Sequence, residues 1–282
     1  MSTDTAQADT QSAYTPADQS EPATARNPLF VTALYRGLNV LEAFSNGWEA
    51  MGLSDIASAT GLAVPTVQRS VHTLTEMGYL AKDAQTRRYR LTPKALDATY
   101  RYLQSSPLYE AAIPVVVALR DEWQETVNVS ILDGSEAMLL IRMPGARRIN
   151  PTSMIGRRMP AHATSTGLAM LAMLPADEQY RRLHDMPLKA MTARTVTDPA
   201  ALEKRLHVIR QDGYALVNEE AADGEISVAA PILDHDGHLV AAISMTTAVS
   251  YWSEEEARKQ IGPAIKHAAR AITDTLRGWR SK

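Results

Sequence analysis

The stretch that most restricts the fold is LAVPTVQRSVHTLTEMGYL, residues 62–80. Val67, Val71, Leu74 and Met77 recur at i, i+4, i+7 and i+10, which places them on one stripe of a helix. The opposite face carries Thr66, Gln68, Arg69, His72 and Thr73, all short or fork-shaped hydrogen-bonding side chains. Pro65 suits the first turn of such a helix, and Gly78 suits its end. Upstream, FVTALYRGLNVLEAFS puts Val31, Leu34, Leu38 and Leu41 on one helical face, with Gly47 just beyond. MGLSDIASATGL follows as a short helix, with Ser54 as N-cap, Ile56 and Ala57 as buried positions and Gly61 as its stop. Downstream, GYLAKDAQTRRYRLTP alternates apolar and polar residues around the turn Asp83-Ala84-Gln85-Thr86, so it predicts a hairpin. Three helices followed by a hairpin, over residues 30–92, is the order of a winged helix-turn-helix.

The pattern changes further on. PKALDATYRYLQSS predicts a linker helix over residues 93–107, and Pro107 marks a boundary. LYEAAIPVVVALRDEWQ is amphipathic and helical, and VNVSILDGSEAMLLIRM predicts two strands around an Asp133-Gly134 turn. ATSTGLAMLAML, PADEQYRRLHDM and DPAALEKRLHVIRQDGY predict helices, the last with Asp198 as N-cap and Gly213 as its stop. ISVAAPILDHDGHLVAAISMTT predicts a second hairpin turning at Asp236-Gly237. Ser253 and Glu256 stand in capping-box spacing before a long closing helix. Residues 108–282 therefore predict an α/β domain with a curved sheet, and the chain as a whole predicts an α+β class.

The formal net charge is −3, so a globally basic footprint for nucleic acid is missing. Locally the balance reverses. Residues 62–93 hold Arg69, Lys82, Arg87, Arg88 and Arg90 against Glu76 and Asp83, an excess of three positive charges, and affinity for phosphates needs only such a local patch. Arg87 and Arg88 fall where a wing tip would meet a phosphate backbone. In a helix-turn-helix the second helix enters the major groove, where Gln can pair with adenine, Arg with guanine and Thr with a thymine methyl or a phosphate. The same polar face and basic hairpin would also serve a protein-binding module.

No cysteine is present, which excludes disulfides and thiolate chemistry and suits a reducing cytoplasm. No apolar run reaches the roughly 18 residues of a membrane helix. The first 29 residues have no apolar core, hence no signal peptide, and their Thr-, Ala-, Gln-, Asp- and Pro-rich composition predicts a disordered tail.

A second candidate site is IGRRMPAHATSTGLAML. Gly156, Pro160, Thr164, Ser165, Thr166 and Gly167 form a small-residue loop opening a helix, whose unpaired N–H groups favour an anion. Arg142, Arg147, Arg148, Arg157 and Arg158 lie close by in sequence and could pair with a carboxylate. A solvent-facing basic loop capped by Thr164 fits the same residues. His162 and Ser165 could hint at a hydrolase, but no G-x-S-x-G accompanies them. Asp234 to His238, DHDGH, reads as a hairpin turn rather than a metal site, and Met170 and Met173 read as core. No cofactor or metal is expected.

These segments together resemble the IclR family of bacterial transcriptional regulators from about Val31 to the C-terminus. The motifs are ALYRGLNVLEAF, LSDIASATGLAVPTVQRSVHTLTEMGYL, RRYRLTP, GRRMPAHATSTGLAML, DGYALVNEEAADGEISVAAPI and AAISM. PLYEAAIPVVVAL, RMPGARRI and RTVTDPAAL look most like the branch that controls aromatic-acid degradation through the β-ketoadipate route. The resemblance implies a non-enzymatic regulator that binds double-stranded operator DNA. Arg36, Pro65, Thr66, Val67, Gln68, Arg69, His72, Thr73, Arg87 and Arg88 would face the DNA. It also implies a homodimer or dimer of dimers, and a GAF-like C-terminal domain that binds a small organic acid as effector. Carried over by motif, the pocket would be lined by Arg148, Met159, Ala161, Ser165, Thr166, Val217, Asn218, Ser227 and Ser244. The chain departs from the family pattern at Leu168, where Lys or Arg is usual after the loop glycine. It departs again in the central TST, and at EIS, where relatives often carry cysteine.

Overall fold

The computed structural model describes residues 27–46, 50–146 and 153–279. Most of the expected tail, Gly47, Arg147 and Arg148 lie outside the described residues. The chain divides into two compact units, with the break between Tyr102 and Leu103.

The first unit contains α1 (Thr32–Glu42), α2 (Leu53–Thr60), α3 (Val64–Glu76), β1 (Leu80–Lys82), β2 (Tyr89–Leu91) and the start of α4 (Leu96–Gln104). Val67, Val71 and Leu74 drive α3 into a core shared with Val40, Phe44, Met51, Ile56 and Leu80. Gly78, at φ +79°, makes the turn from α3 into β1, a conformation that costs glycine least. The hairpin pairs Leu80 with Leu91 and Lys82 with Tyr89. Met51 extends it through two 2.8 Å backbone bonds with Tyr89.

Three local expectations change. The residue capping α2 is Gly52, not Ser54: its N–H donates to the Asp55 carboxylate at 2.9 Å, so Ser54 lies inside the helix. Met77 is 51% exposed, because α3 ends before it. On α1 the buried position is Val40, followed by Ala43 and Phe44, whereas Val31, Leu34 and Leu38 remain exposed. Leu41, the fourth member of the expected stripe, is half-buried against the core of this unit, and the other three are not.

The second unit adds α5 (Pro107–Trp123), β3 (Thr126–Asp133), β4 (Glu136–Met143), β5 (Arg158–Pro160), α6 (Ser165–Leu171), α7 (Ala176–Asp185), α8 (Pro199–Asp212), β6 (Ala215–Asn218), β7 (Glu225–Leu233), β8 (Leu239–Ala248), α9 (Glu254–Glu256) and α10 (Gly262–Trp279). Its six strands form an antiparallel sheet in the order β5-β4-β3-β8-β7-β6. Successive strand residues point to opposite faces. Val127, Val129, Ile226, Val228, Ile243 and Met245 pack on one side with Val116 of α5 and Ile265 and Ile272 of α10. Ala215, Val217, Ala229 and Ala242 pack on the other with Leu168 and Met170 of α6 and Leu202 and Leu206 of α8. β5 and β6, with three and four residues, are too short to show a periodicity and escape the sequence reading. Asp198, Gly213, Ser253 and Glu256 cap as expected.

Candidate functional site

The face of the sheet that holds α6 is not apolar throughout. Along β3, Thr126, Asn128 and Ser130 alternate with the core valines. Along β8, Ser244 and Thr246 alternate with Ile243 and Met245, and along β7, Glu225 and Ser227 alternate with Ile226 and Val228. The register lines these positions up across strands. Arg142 lies beside Asn128 and Asn128 beside Ser244, while Thr126 lies beside Thr246 and Thr246 beside Ser227. Two polar rows thus cross the sheet under α6, where they line a cavity of about 700 Å³ counting its mouth.

The rows are wired together. The Ser165 and Ser227 hydroxyls are 2.7 Å apart, and Ser227 and Thr246 are 3.1 Å apart. The Asn128 amide donates to the Thr246 hydroxyl at 3.4 Å, and Arg142 donates to Asn128 Oδ1 at 3.2 Å. Arg157, which donates to Ser153 Oγ at 3.1 Å, lines the same cavity. Glu225 lines the same cavity and feels the charge of both guanidinium groups. Burial pushes its carboxyl up, against the pull of Arg157 and Arg142. Burial in turn pulls Arg142 down, a loss that Glu225 partly offsets.

Of the residues expected in the pocket, Met159, Ser165, Thr166, Ser227 and Ser244 line it. Ala161 and Val217 do not. Both are buried in the core beneath α6 and α8, at 0% and 1% exposure. Asn218 turns to the other side, where its amide donates to Glu254 at 3.2 Å. Arg148 lies outside the described residues. The small residue at Gly167 also has a different use. A Cβ there would fall 2.1 Å from the Ala161 carbonyl oxygen, so the glycine admits the chain's own backbone and not a ligand. Thr164 caps that turn, its Oγ1 accepting from the Gly167 N–H at 3.1 Å. Arg158 is likewise engaged elsewhere, with Asp133 and Glu136. Thr126, Asn128, Ser130, Glu225 and Thr246 were missed. Their signal was legible as period-two polar residues inside apolar strands.

His162 is fully buried, with Nε2 3.0 Å from the Lys189 carbonyl oxygen. The hydroxyl of Ser165 meets Ser227, so no base activates it. The Asp234 carboxylate, within ligand distance of His235 and Asp236, accepts from the Asp236 and His238 N–H groups, as a turn requires.

In the first unit, α3 presents Pro65, Gln68, Arg69, His72 and Thr73 to solvent, with Thr66 half-buried. The Thr73 hydroxyl donates to the Arg69 carbonyl at 3.1 Å. Val67 is 0% exposed. It holds α3 in place from the core side and cannot touch DNA. Arg87 is exposed at the hairpin tip with φ +57°. Arg88 turns inward instead. Its Nη2 pairs with Asp55 at 2.7 Å and its Nε donates to the Ala50 carbonyl at 3.1 Å, so it ties the hairpin to α2. Arg36 is half-buried on α1.

The family model for the IclR helix-turn-helix domain matches residues 33–84, and that for the bacterial transcriptional regulator IclR C-terminal domain matches residues 100–274. The Pca regulon regulatory protein of Pseudomonas putida is 32% identical over 89% of this chain and 86% of its own length. The crystal structure of an IclR family transcriptional regulator from Brucella abortus is 28% identical, with a TM-score of 0.76 over 93% of this chain and 100% of that one. An IclR homologue from Microbacterium hydrocarbonoxydans, crystallised with 4-hydroxybenzoate, is 25% identical, with a TM-score of 0.74 over 89% of this chain and 100% of that one. Among the described residues no helix is long and apolar enough to cross a membrane.

Proposed function

The chain belongs to the IclR family of bacterial transcriptional regulators, and we propose that its second unit senses a small aromatic carboxylic acid while α3 and the hairpin read a palindromic operator. The observation that carries the sensing half is the convergence of Arg142 and Arg157 on a hydroxyl-lined cavity. Two guanidinium groups match one carboxylate, and Met159, Ala137 and Leu139 supply apolar wall for a ring. The relative that holds 4-hydroxybenzoate supports the ligand class. A hydrolase reading has no support, because neither Ser165 nor His162 has a catalytic partner.

For DNA, the exposure of Gln68 and Arg69 on α3 supports base-edge contacts by them, and that of Arg87 at the hairpin tip supports a phosphate contact. Each unit offers one half-site, so a palindrome needs at least two copies. The uncovered stripe of Val31, Leu34 and Leu38 supports a homodimer. The effector then acts by binding one arrangement of the reading units more tightly than another. Absence of cysteine and of a membrane helix among the described residues supports work in the cytoplasm.

Calorimetry on the full chain tests the sensing half. Acids such as 4-hydroxybenzoate or protocatechuate should bind, and their amides should bind at least tenfold more weakly. Equal binding of acids and amides would overturn the carboxylate pocket.

A further inference from the structure

We propose that Glu225 is a specificity-determining residue of the pocket: it accepts a hydrogen bond from a donor group on the effector. It thereby selects monoanionic acids that carry a hydroxyl over unsubstituted acids and over dianions. The inference rests on the carboxylate-pocket reading and deepens it.

Three observations carry it. The first is position. Glu225 is the first residue of β7, and the alternation that points Ile226 into the core turns Glu225 and Ser227 toward the cavity. The second is an unfilled hydrogen-bonding capacity. Arg142 gives a bond to Asn128 and Arg157 gives one to Ser153, whereas among the described residues no group donates a hydrogen bond to the Glu225 carboxylate. A carboxylate has acceptor sites on both oxygens, and leaving them without donors in a half-buried site is unfavourable. Burial accordingly raises its pKa. A phenolic or alcoholic O–H arriving with the ligand removes that penalty, and the bond it makes is charge-assisted, hence stronger than a neutral one.

The third observation is charge. Among the described lining residues the charged groups are Arg142, Arg157 and Glu225, a net of one positive charge. One carboxylate neutralises it. A second carboxylate on the ligand would meet Glu225, and like charges at that range repel. The same glutamate thus rewards a donor and rejects a second anion. A serine or asparagine in its place would do only the first.

The experiment is titration calorimetry of the full-length protein with 4-hydroxybenzoate, 3-hydroxybenzoate, benzoate, 4-methoxybenzoate, benzene-1,4-dicarboxylate and 4-hydroxybenzamide. Wild type should prefer at least one hydroxybenzoate over benzoate and 4-methoxybenzoate by tenfold or more, and should bind the dicarboxylate weakest of the acids. Glu225→Ala should bring the hydroxybenzoate and methoxybenzoate within about threefold of each other. Glu225→Gln keeps shape and an acceptor without the charge, so it should admit the dicarboxylate. A preference for the hydroxyl that survives in both variants overturns the proposal. So does an equal gain for every acid, since that would make Glu225 only a counter-ion for the arginines. In either case acids would still outbind 4-hydroxybenzamide, and the carboxylate pocket would stand. If the amide bound as well as the acids, or no acid bound, the pocket reading would fail and this inference with it.

Discussion

Ser165, the first residue of α6, and Ser227, near the start of β7, meet hydroxyl to hydroxyl at 2.7 Å. The contact joins the loop that covers the cavity to the strand that floors it. Both hydroxyls have a protein partner, and Ser227 has a second in Thr246, so the cavity wall is set before a ligand enters.

That contact can be removed in two ways with different outcomes. Ser227→Ala should cost about 0.5–1.5 kcal/mol of stability, the usual net worth of such a bond, and weaken the acid modestly. Ser165→Leu should instead fill the cavity. Ser165 is only 2% exposed, so the added methylenes should also strain the packing by about 1–3 kcal/mol. Effector binding should be lost in calorimetry, while the operator band shift without effector stays at its wild-type concentration. An operator shift that weakens along with effector binding would show that the variant damages the whole chain.

Two arginines, Arg142 and Arg157, line the pocket, and removal of Arg142 is a direct test of the carboxylate. A charge-assisted bond to a buried group is worth about 1.5–3 kcal/mol, and 1.4 kcal/mol is tenfold in Kd. Arg142→Ala should therefore weaken 4-hydroxybenzoate at least about tenfold and change 4-hydroxybenzamide little. An unchanged acid Kd would return Arg142 to a structural role beside Asn128.

Much of the fold was legible because its signals are local. The α3 stripe, the Asp83–Thr86 turn, the Asp198 and Ser253 caps and the Asp236-Gly237 hairpin each need only a few neighbouring residues. The pocket was less so. Ser165, Ser227 and Ser244 followed from the family pattern, but Ala161, Val217 and Asn218 followed from it too and lie elsewhere. Asn218 shares its strand with Val217 and faces the opposite way. What decides membership is the pairing register, which sets Asn128 beside Ser244 and Thr126 beside Thr246. Those partners are far apart in the chain, so no window of sequence shows them. Arg88 illustrates the same limit: one residue from Arg87, it pairs with Asp55 thirty-three positions away.

His162 gives a pH dependence. Its Nε2 faces the Lys189 carbonyl, its Nδ1 has no hydrogen-bond partner among the described residues, and burial lowers its pKa. The folded state therefore holds this imidazole neutral at pH values where the unfolded chain, near 6.5, already takes up the proton. With more protons bound in the unfolded state, stability rises with pH across this window. It is full above about pH 6.5 and declines as pH falls from there toward the depressed folded value. The thermal midpoint should drop between pH 7.5 and 5.5. His162→Gln, which keeps a donor for Lys189, should give a shallower drop. Parallel slopes would assign the effect to the other histidines.

The exposed stripe on α1 makes a statement about assembly. Leu34 and Leu38 are 61% and 50% exposed, one turn apart on a helix whose opposite side builds the core. Sedimentation of the wild type should show no monomer at micromolar concentration. Leu34→Glu with Leu38→Glu should weaken palindromic operator binding more than half-site binding, since the charges would sit in the contact between copies. If both sites weakened equally, the stripe would not serve pairing on DNA.

Arg87 and Arg88 of the hairpin and Arg69 on α3 should behave as three different kinds of residue. Arg69 is exposed on the face of α3 and is free to reach a base edge, so Arg69→Ala should cost roughly 1–3 kcal/mol of specific binding and relax sequence preference. Arg87, exposed at the tip, is the residue proposed to meet a phosphate. Arg87→Ala should weaken specific and non-specific DNA alike and flatten the salt dependence by about one ion. Arg88 points inward to Asp55, with both side chains more than a third exposed, so solvent screens the pair and its worth is about 0.2–1 kcal/mol. Arg88→Ala should thus lower the melting temperature slightly and leave the salt slope unchanged. A band-shift salt series on the three variants, read beside their melting curves, separates these roles. A lost phosphate slope in Arg88→Ala would mean that the ion pair opens on DNA, and wild-type affinity in both Arg69→Ala and Arg87→Ala would remove α3 and the hairpin from the DNA interface.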